Sequence, residues 1–307
     1  MKLDSIQIKP LVDKGSMSRP YLILTGLALG LGLLIALILF RSPDDSLANL
    51  RARGVIRIGY AIEAPYAYLA DDGNVTGLDP EVARMVANRL GIPRIEWRLM
   101  EFDALLAGLK SGQYDVIAAG LFITPERARQ VIFSQPTFQA RPGLLVQPGN
   151  PLNLHSYADI VANNNAHIAA ISGSVEAQAL KKLGLPPERL QEVPDARSGR
   201  ILVNTRQADA LALSAPTIHW MAAHTNAGPG EIASPFESKD TPENGPAQLG
   251  GFAFRPEAQA LCQAWNRELK SFLGSPEHLL LIKPFGFTTN DLPRDIHLTP
   301  PATKTGP

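Results

Sequence analysis

Three aromatic residues, an arginine, an acid and a Ser-Gly-Ser turn fall where strands should end or helices begin, and these carry the chemistry of the chain. Tyr66, Phe102 and Phe122 each lie just after an expected strand or at a helix start, where open α/β sheets present ligand contacts. Their plain alternative is a place in the core. Arg127 follows Thr124 and Pro125 at the start of a short helix, and its guanidinium offers paired donors; by spacing alone it is equally a surface arginine. Ser172-Gly173-Ser174 stands between a strand and a helix, where N–H groups and hydroxyls can hold an anion or simply cap the helix. Glu63 is either a carboxylate for a cation or a rim charge.

Other chemistries find no residues. His155, His167, His219, His224, His278 and His297 are scattered, and no Ser/His/Asp set, phosphate-cradling glycine loop or metal-binding His pair is visible. No cofactor and no metal is expected. Cys262 is the single cysteine and reads as a core thiol. With 29 basic and 29 acidic residues the chain lacks the electrostatic footprint of a nucleic-acid binder. Its 307 residues, 45% of them hydrophobic, suffice for a sizeable core.

The elements that position these residues alternate between strand and helix, which predicts parallel sheets flanked by helices. A period-two strand at 55–60, a helix at 78–90, strands at 95–99 and 115–119, a helix at 102–110 and a short helix opening at Thr124 make one unit. After a strand at 141–146, strands at 167–171, 190–193 and 209–213 alternate with helices at 174–183, 196–206 and 216–224 to make a second. Residues 234–251 read as a loop, 251–255 as a strand returning to the first unit and 256–273 as a helix. The expected organisation is lobe 1 at 54–142 and 251–293, lobe 2 at 143–250, hinge strands at 143–146 and 251–255, and a loose tail at 294–307.

Ahead of this, residues 21–40 are apolar and uncharged without a break, long enough to cross ~30 Å of hydrocarbon as a helix. They lack a small-residue cleavage site and are too long for a signal-peptide core, so a retained single-pass transmembrane anchor is expected. Residues 1–20 then form a cytoplasmic tail, 41–53 a polar linker, and the lobes lie outside the inner membrane. Lipid anchoring through a cysteine is excluded beside this stretch, since Cys262 is far away.

Several motifs together resemble a known family. The strand at 55–60, Ala64-Pro65-Tyr66, Gly77-Leu78-Asp79, the run 109–115, and above all 120–127 with Phe133-Ser134 are similar to the family 3 extracellular solute-binding proteins of ABC transporters, over residues 50 to 292. Within that family, Glu63-Ala64-Pro65-Tyr66, Glu101-Phe102, 117–120 with Phe122, 214–221 and 285–288 most resemble the ectoine and hydroxyectoine binders. The resemblance implies a two-lobed α/β periplasmic-binding-protein fold of type II that closes on a small zwitterionic solute and delivers it to an ABC permease. It further implies that Arg127 grips the ligand carboxylate and that Ser172 and Ser174 complete that site. Tyr66, Phe102 and Phe122 would box a delocalised cation, an attraction of about 2 kcal/mol when desolvated, with Tyr68 a fourth candidate and Glu63 facing the ring N–H groups. Ordinary amino-acid binders of the family carry an Asp, the ammonium partner, where this chain has Ser214; this disfavours a standard α-amino acid. Asp209 reads as structural. Two alternatives share the fold: a cyclohexadienyl-dehydratase-like enzyme with Glu176 as its acid, and a membrane-tethered solute sensor.

Overall fold

The computed structural model describes residues 44–224, 230–236 and 248–295; the apolar span at 21–40 and the tail beyond 295 lie outside them. Among the described residues no helix is long and apolar enough to cross a membrane. Asp44 to Arg53, read above as a polar spacer, is part of the fold. It forms α1 (Ser46–Arg53), stopped by Gly54 in the left-handed region at φ 67°. Leu50 is buried in the lobe 1 core, Arg51 Nε donates to the Leu90 carbonyl at 2.9 Å, and Arg53 pairs with Asp115 at 2.8 Å. A spacing of few apolar residues hid the helix; Leu47 and Leu50 suffice because a ready core receives them.

Lobe 1 carries β1 (Val55–Tyr60), the hairpin of β2 (Tyr68–Leu69) and β3 (Val75–Thr76), α2 (Leu78–Arg89), β4 (Arg94–Leu99), α3 (Leu105–Lys110), β5 (Val116–Ile117), α4 (Pro125–Ala128) and β6 (Ile132–Phe133). The chain returns to it later with β14 (Ala253–Phe254), α9 (Gln259–Phe272) and α10 (Pro276–Ile282). The sheet order is β4-β1-β5-β14-β6, with β1 parallel to β4 and β5, and β14 antiparallel to both its neighbours. The strand read at 55–60 is β1, and all of it but Arg57 is buried, because helices cover both sides of a parallel sheet. Trp265 of α9 lies edge-on to Phe252 and Phe254, with centroids 5.3 and 5.7 Å away.

Lobe 2 repeats the plan with β8 (Pro142–Val146), α5 (Tyr157–Ala162), β9 (Ile168–Ile171), α6 (Val175–Lys182), β10 (Leu190–Val193), α7 (Ala196–Asn204), β11 (Ala210–Ser214), α8 (Ala215–Ala223) and β12 (Glu231–Ile232). Its sheet order is β10-β9-β11-β8-β12. The expected hinge strands need correction. Residues 143–146 belong to the lobe 2 sheet, antiparallel to β11, and 253–254 to the lobe 1 sheet. Both crossings run instead through a separate antiparallel pair, β7 (Phe138–Ala140) with β13 (Gln248–Gly250), in the register Gln248 to Ala140 and Gly250 to Phe138. β13 also falls inside the expected loop at 234–251. The apolar runs on either side of each crossing are claimed by the lobe sheets, so the hinge is left with the short neighbouring segments.

The start of α9 lacks a cap of its own, since Ala258 supplies no side-chain acceptor. Asp44 supplies it from a distant part of the chain: its carboxylate accepts the Ala260 N–H, while Ser46 Oγ accepts that of Leu261 at 3.2 Å. Asp44→Ala should therefore destabilise the fold by about 1 kcal/mol, the usual worth of a lost cap, read as a lower urea midpoint at constant slope. An unchanged midpoint would show that water serves α9 equally well.

Candidate functional site

The candidate site is the cleft between the lobes, and each side chain in it is set by the end of an element. β1 runs into a tight turn in which the Tyr66 N–H donates to the Glu63 carbonyl at 2.9 Å, and Glu63 exchanges backbone bonds with Ala67. That turn aims Tyr66 inward, 1% exposed, against Phe138 and Phe287 with centroids 4.9 and 5.6 Å away. Gly120 makes this possible: it sits at φ 63°, and a Cβ there would lie 2.6 Å from the Tyr66 ring. The Gly120 N–H is in turn held by buried Asp79 at 2.7 Å.

Arg127 is carried by α4, whose Thr124 cap accepts the Arg127 N–H. Its side chain is only 5% exposed. Nη1 donates to the Phe122 carbonyl at 2.9 Å, and Nη2 crosses the cleft to the Gly173 carbonyl at 3.0 Å. The guanidinium lies over the Phe102 ring, 5.5 Å from its centroid, a cation–π contact. Burial lowers the Arg127 pKa to about 10, opposed by the Glu176, Glu126 and Glu63 charges. It stays a cation, and with five N–H donors in all it retains three beyond these two bonds.

From lobe 2, Ser214 closes β11 and caps α8, and Thr217 follows one turn later. Tyr66 OH donates to Ser214 Oγ at 3.1 Å, Ser214 and Thr217 hydroxyls share a bond of 3.1 Å, and Thr217 Oγ1 donates to Glu63 Oε1 at 2.7 Å. The donors run in one direction, from Tyr66 through Ser214 and Thr217 to the Glu63 carboxyl, passing from lobe 1 to lobe 2 and back. Ser172 Oγ donates across the cleft to Asp103 Oδ2 at 2.8 Å. Gly173, at φ 73°, packs so closely on Asp103 that a Cβ would come within 3.0 Å. Ser174 realises the plain capping reading, accepting the Ala177 N–H at 3.1 Å.

Of the eight expected residues, Tyr66, Ser214 and Glu63 are joined through Thr217 by hydroxyl bonds across the cleft, and Arg127 is held between the Phe122 carbonyl and the Phe102 ring. The hydroxyls of Ser172 and Ser174 are engaged by Asp103 and the α6 backbone. The three aromatics do not line up as one box. Tyr66 and Phe122 share the wall made by Phe138, the latter edge-on at 5.7 Å, whereas Phe102 belongs to a different apolar cluster behind Arg127. Tyr68 stands outside, near Trp220 at 5.4 Å. Asp209 is structural, accepting the His167 N–H at 2.9 Å, and Cys262 is buried, its thiol pushed up to about 11 by burial.

Sequence reasoning missed Thr217 and Asp103 and weighed Glu176 only as an enzymatic acid. Glu176 is buried in the first turn of α6. Burial pushes its carboxyl up to about 7, and burial followed by the nearby Glu176 charge pushes Glu63 up to about 8, against the Thr217 bond and Arg127. Two acids and one guanidinium in an interlobe cleft can hold a zwitterion, the guanidinium at its anionic end and the carboxylates at its cationic end. In the ligand-free chain both carboxyls keep their protons to higher pH than an ordinary glutamate does. The stability they contribute is fully present below the ordinary Glu value of 4.5 and is lost as pH rises through about 7 and about 8. The melting temperature of the ligand-free chain should therefore fall between about pH 5 and about pH 8.5, and Glu63→Gln should flatten the fall. A level or rising trace in the parent would mean that these carboxyls are solvated.

Comparison with known proteins agrees with this architecture. Residues 56–282 match the bacterial extracellular solute-binding proteins, family 3. A probable amino-acid ABC transporter periplasmic-binding protein, y4tE of Sinorhizobium fredii, is 33% identical over 260 residues, covering 84% of each chain. The crystal structure of EhuB in complex with hydroxyectoine superposes with a TM-score of 0.73 at 33% identity, covering 80% of this chain and 93% of that one. A membrane-bound lytic murein transglycosylase F of Aeromonas hydrophila is 31% identical over 159 residues, which span 51% of this chain and 31% of the enzyme. Matched along most of its folded length, with two α/β lobes around a charged cleft, the chain belongs to the family 3 bacterial extracellular solute-binding proteins.

Proposed function

We propose that the chain is the solute-binding component of an ABC importer for amino-acid-like solutes and that it closes on ectoine or hydroxyectoine, handing the solute to a permease. Its lobes then lie outside the cytoplasmic membrane, tethered by residues 21–40. The observation that carries the reading is the charge pattern of the cleft: buried Arg127 shares it with buried Glu176 and half-buried Glu63, and the family's ammonium-binding position is Ser214, tied into hydroxyl bonds rather than charged. A cation spread over a ring suits Glu63 and the Tyr66 face better than a point-charge ammonium does. The named transport role of the Sinorhizobium relative and the hydroxyectoine in EhuB support it.

Calorimetric titration of the full chain with ectoine, hydroxyectoine and a panel of α-amino acids tests this. Heat with the ectoines is expected; none with them, beside clear binding of a standard amino acid, would reject the ligand. Ser214→Asp sharpens the test. Its carboxylate would be held by Tyr66 and Thr217 next to Glu63, adding a desolvated charge without a new partner for a ring cation. Ectoine affinity should drop on the order of tenfold, and that of some α-amino acid should rise relative to it. An unchanged preference would count against the assignment of Ser214. Glu176, an acid tuned near neutrality, is the observation that favours the enzymatic alternative, so the titrations should also be assayed for turnover of the ligand.

A further inference from the structure

A second cavity opens beside the hinge, with a volume of about 720 Å³, and it is walled by both lobes. Lobe 2 contributes α8 through His219, Trp220 and His224; lobe 1 contributes the segment from Lys283 to Arg294, and the hinge contributes Gln139 to Arg141. Its walls combine flat apolar surface with cations. Trp220, stacked on His224 with centroids 4.1 Å apart, supplies most of the first beside the largely buried Phe285 and Phe287, and Arg141, Lys283 and Arg294 supply the second. Among the described residues none of these three cations has an ion-pair partner. The single acid of the lining, Asp291, is already occupied, accepting the Thr288 N–H at 2.8 Å and its hydroxyl at 2.9 Å. Three cations around one engaged carboxylate leave the cavity positive, and field lines in a concave site concentrate anions there.

We propose that this cavity is a second ligand site, separate from the cleft, for a small aromatic carboxylate: a flat body on Trp220 and the two phenylalanines, an anion between Arg141 and Lys283. Aromatic surface with a few convergent charges is the make-up of small-molecule pockets. Its position also ties it to the cleft. Helix α8 carries Thr217, which holds Glu63 at 2.7 Å, and one turn on it carries Trp220. Phe287 packs on Tyr66 at 5.6 Å. Because the two walls belong to different lobes, an occupant that touches both favours the closed arrangement and tightens binding in the cleft. This coupling rests on the solute-binding reading; the site itself does not.

The probe is 2-naphthoate, titrated calorimetrically into the full chain, with 2-naphthalenemethanol as the uncharged control. Naphthoate should bind and the alcohol should bind much more weakly. The double substitution Arg141→Gln with Lys283→Gln should weaken naphthoate about tenfold or more while leaving the affinity for the cleft solute alone. No naphthoate binding, or equal binding by the double variant, overturns the site. With naphthoate saturating, the Kd of the cleft solute should fall in the parent and not in the double variant. An unchanged Kd overturns the coupling, and a raised one places naphthoate in the cleft and overturns the site. Since naphthoate binding is read without any cleft solute, failure of the ectoine assignment and failure of this site give different results.

Discussion

Arg127→Lys is expected to weaken binding of the cleft solute nearly as much as Arg127→Ala, each by about 2–5 kcal/mol, or roughly 30-fold to several thousandfold in Kd. The guanidinium is fixed before any ligand arrives: Phe122 and Gly173 carbonyls hold its two terminal nitrogens, Phe102 lies against its face, and solvent reaches 5% of the residue. A planar fork anchored in this way can still present a donor edge to a carboxylate. A lysine ammonium has three donors at one point and no plane; satisfying the two carbonyls would leave it little to offer a ligand. It would also be drawn toward Glu63 and Glu176, whose charges act on Arg127 already. Alanine removes the positive charge and leaves those two acids to face the ligand cation without a counterweight. Calorimetry with hydroxyectoine and with the best-binding amino acid separates the outcomes. A Kd in the lysine variant equal to that of the parent would remove Arg127 from the ligand site and return it to a structural role as an interlobe clasp.

Asp115→Asn should cost about 2–3 kcal/mol of stability without altering the cleft. The Asp115 side chain is 6% exposed and collects three arginines on the back of lobe 1. Arg57 donates from Nη2 at 2.8 Å and from its backbone N–H at 2.9 Å, Arg53 from Nη2 at 2.8 Å, and Arg255 approaches to 3.8 Å. Breaking a buried pair typically costs 3–5 kcal/mol. The arginine side chains are 20–45% exposed, so water takes up part of the loss, and the smaller figure follows. Burial raises the Asp115 pKa, but the Arg57 hydrogen bonds and the Arg57 and Arg53 charges outweigh it and leave the pKa below the usual 3.8. With a depressed folded pKa, its contribution is present above the ordinary Asp range and disappears as pH falls through the folded value. The sign is opposite to that of Glu63 and Glu176, so the ligand-free chain should be most stable between their windows, in mildly acidic solution. Urea unfolding at neutral and at acid pH checks both statements: the penalty of Asp115→Asn should shrink in acid, and a pH-independent penalty would mean that the arginines serve other acceptors.

The sequence alone determined the longer alternating strands and helices of both lobes, because apolar spacing, the Thr124-Pro125 cap and glycine stops act within a few residues of themselves; the short elements, among them α1, the β2/β3 hairpin, β7 and β13, escaped it. It also determined the family, through the run ending at Arg127, and it named Glu63, Tyr66 and Ser214, which do meet across the cleft. Tertiary structure decided what each of them touches. The bonds that join Tyr66 to Ser214 and Thr217 to Glu63 span 148 and 154 residues of chain, and no local rule sets the distance between lobes. For the same reason Thr217 and Asp103 were not singled out, and Glu176 was weighed only as the acid of an enzyme rather than as one of a pair that shifts Glu63. The hinge was misplaced because apolar runs stand beside both crossings, and only the pairing of β8 with β11 and of β14 with β5 shows that the lobes had taken them. Residues 44–53 looked polar because their environment was invisible: Leu50 gains a core, and Asp44 a helix to cap, only once α9, more than two hundred residues later, has folded against them.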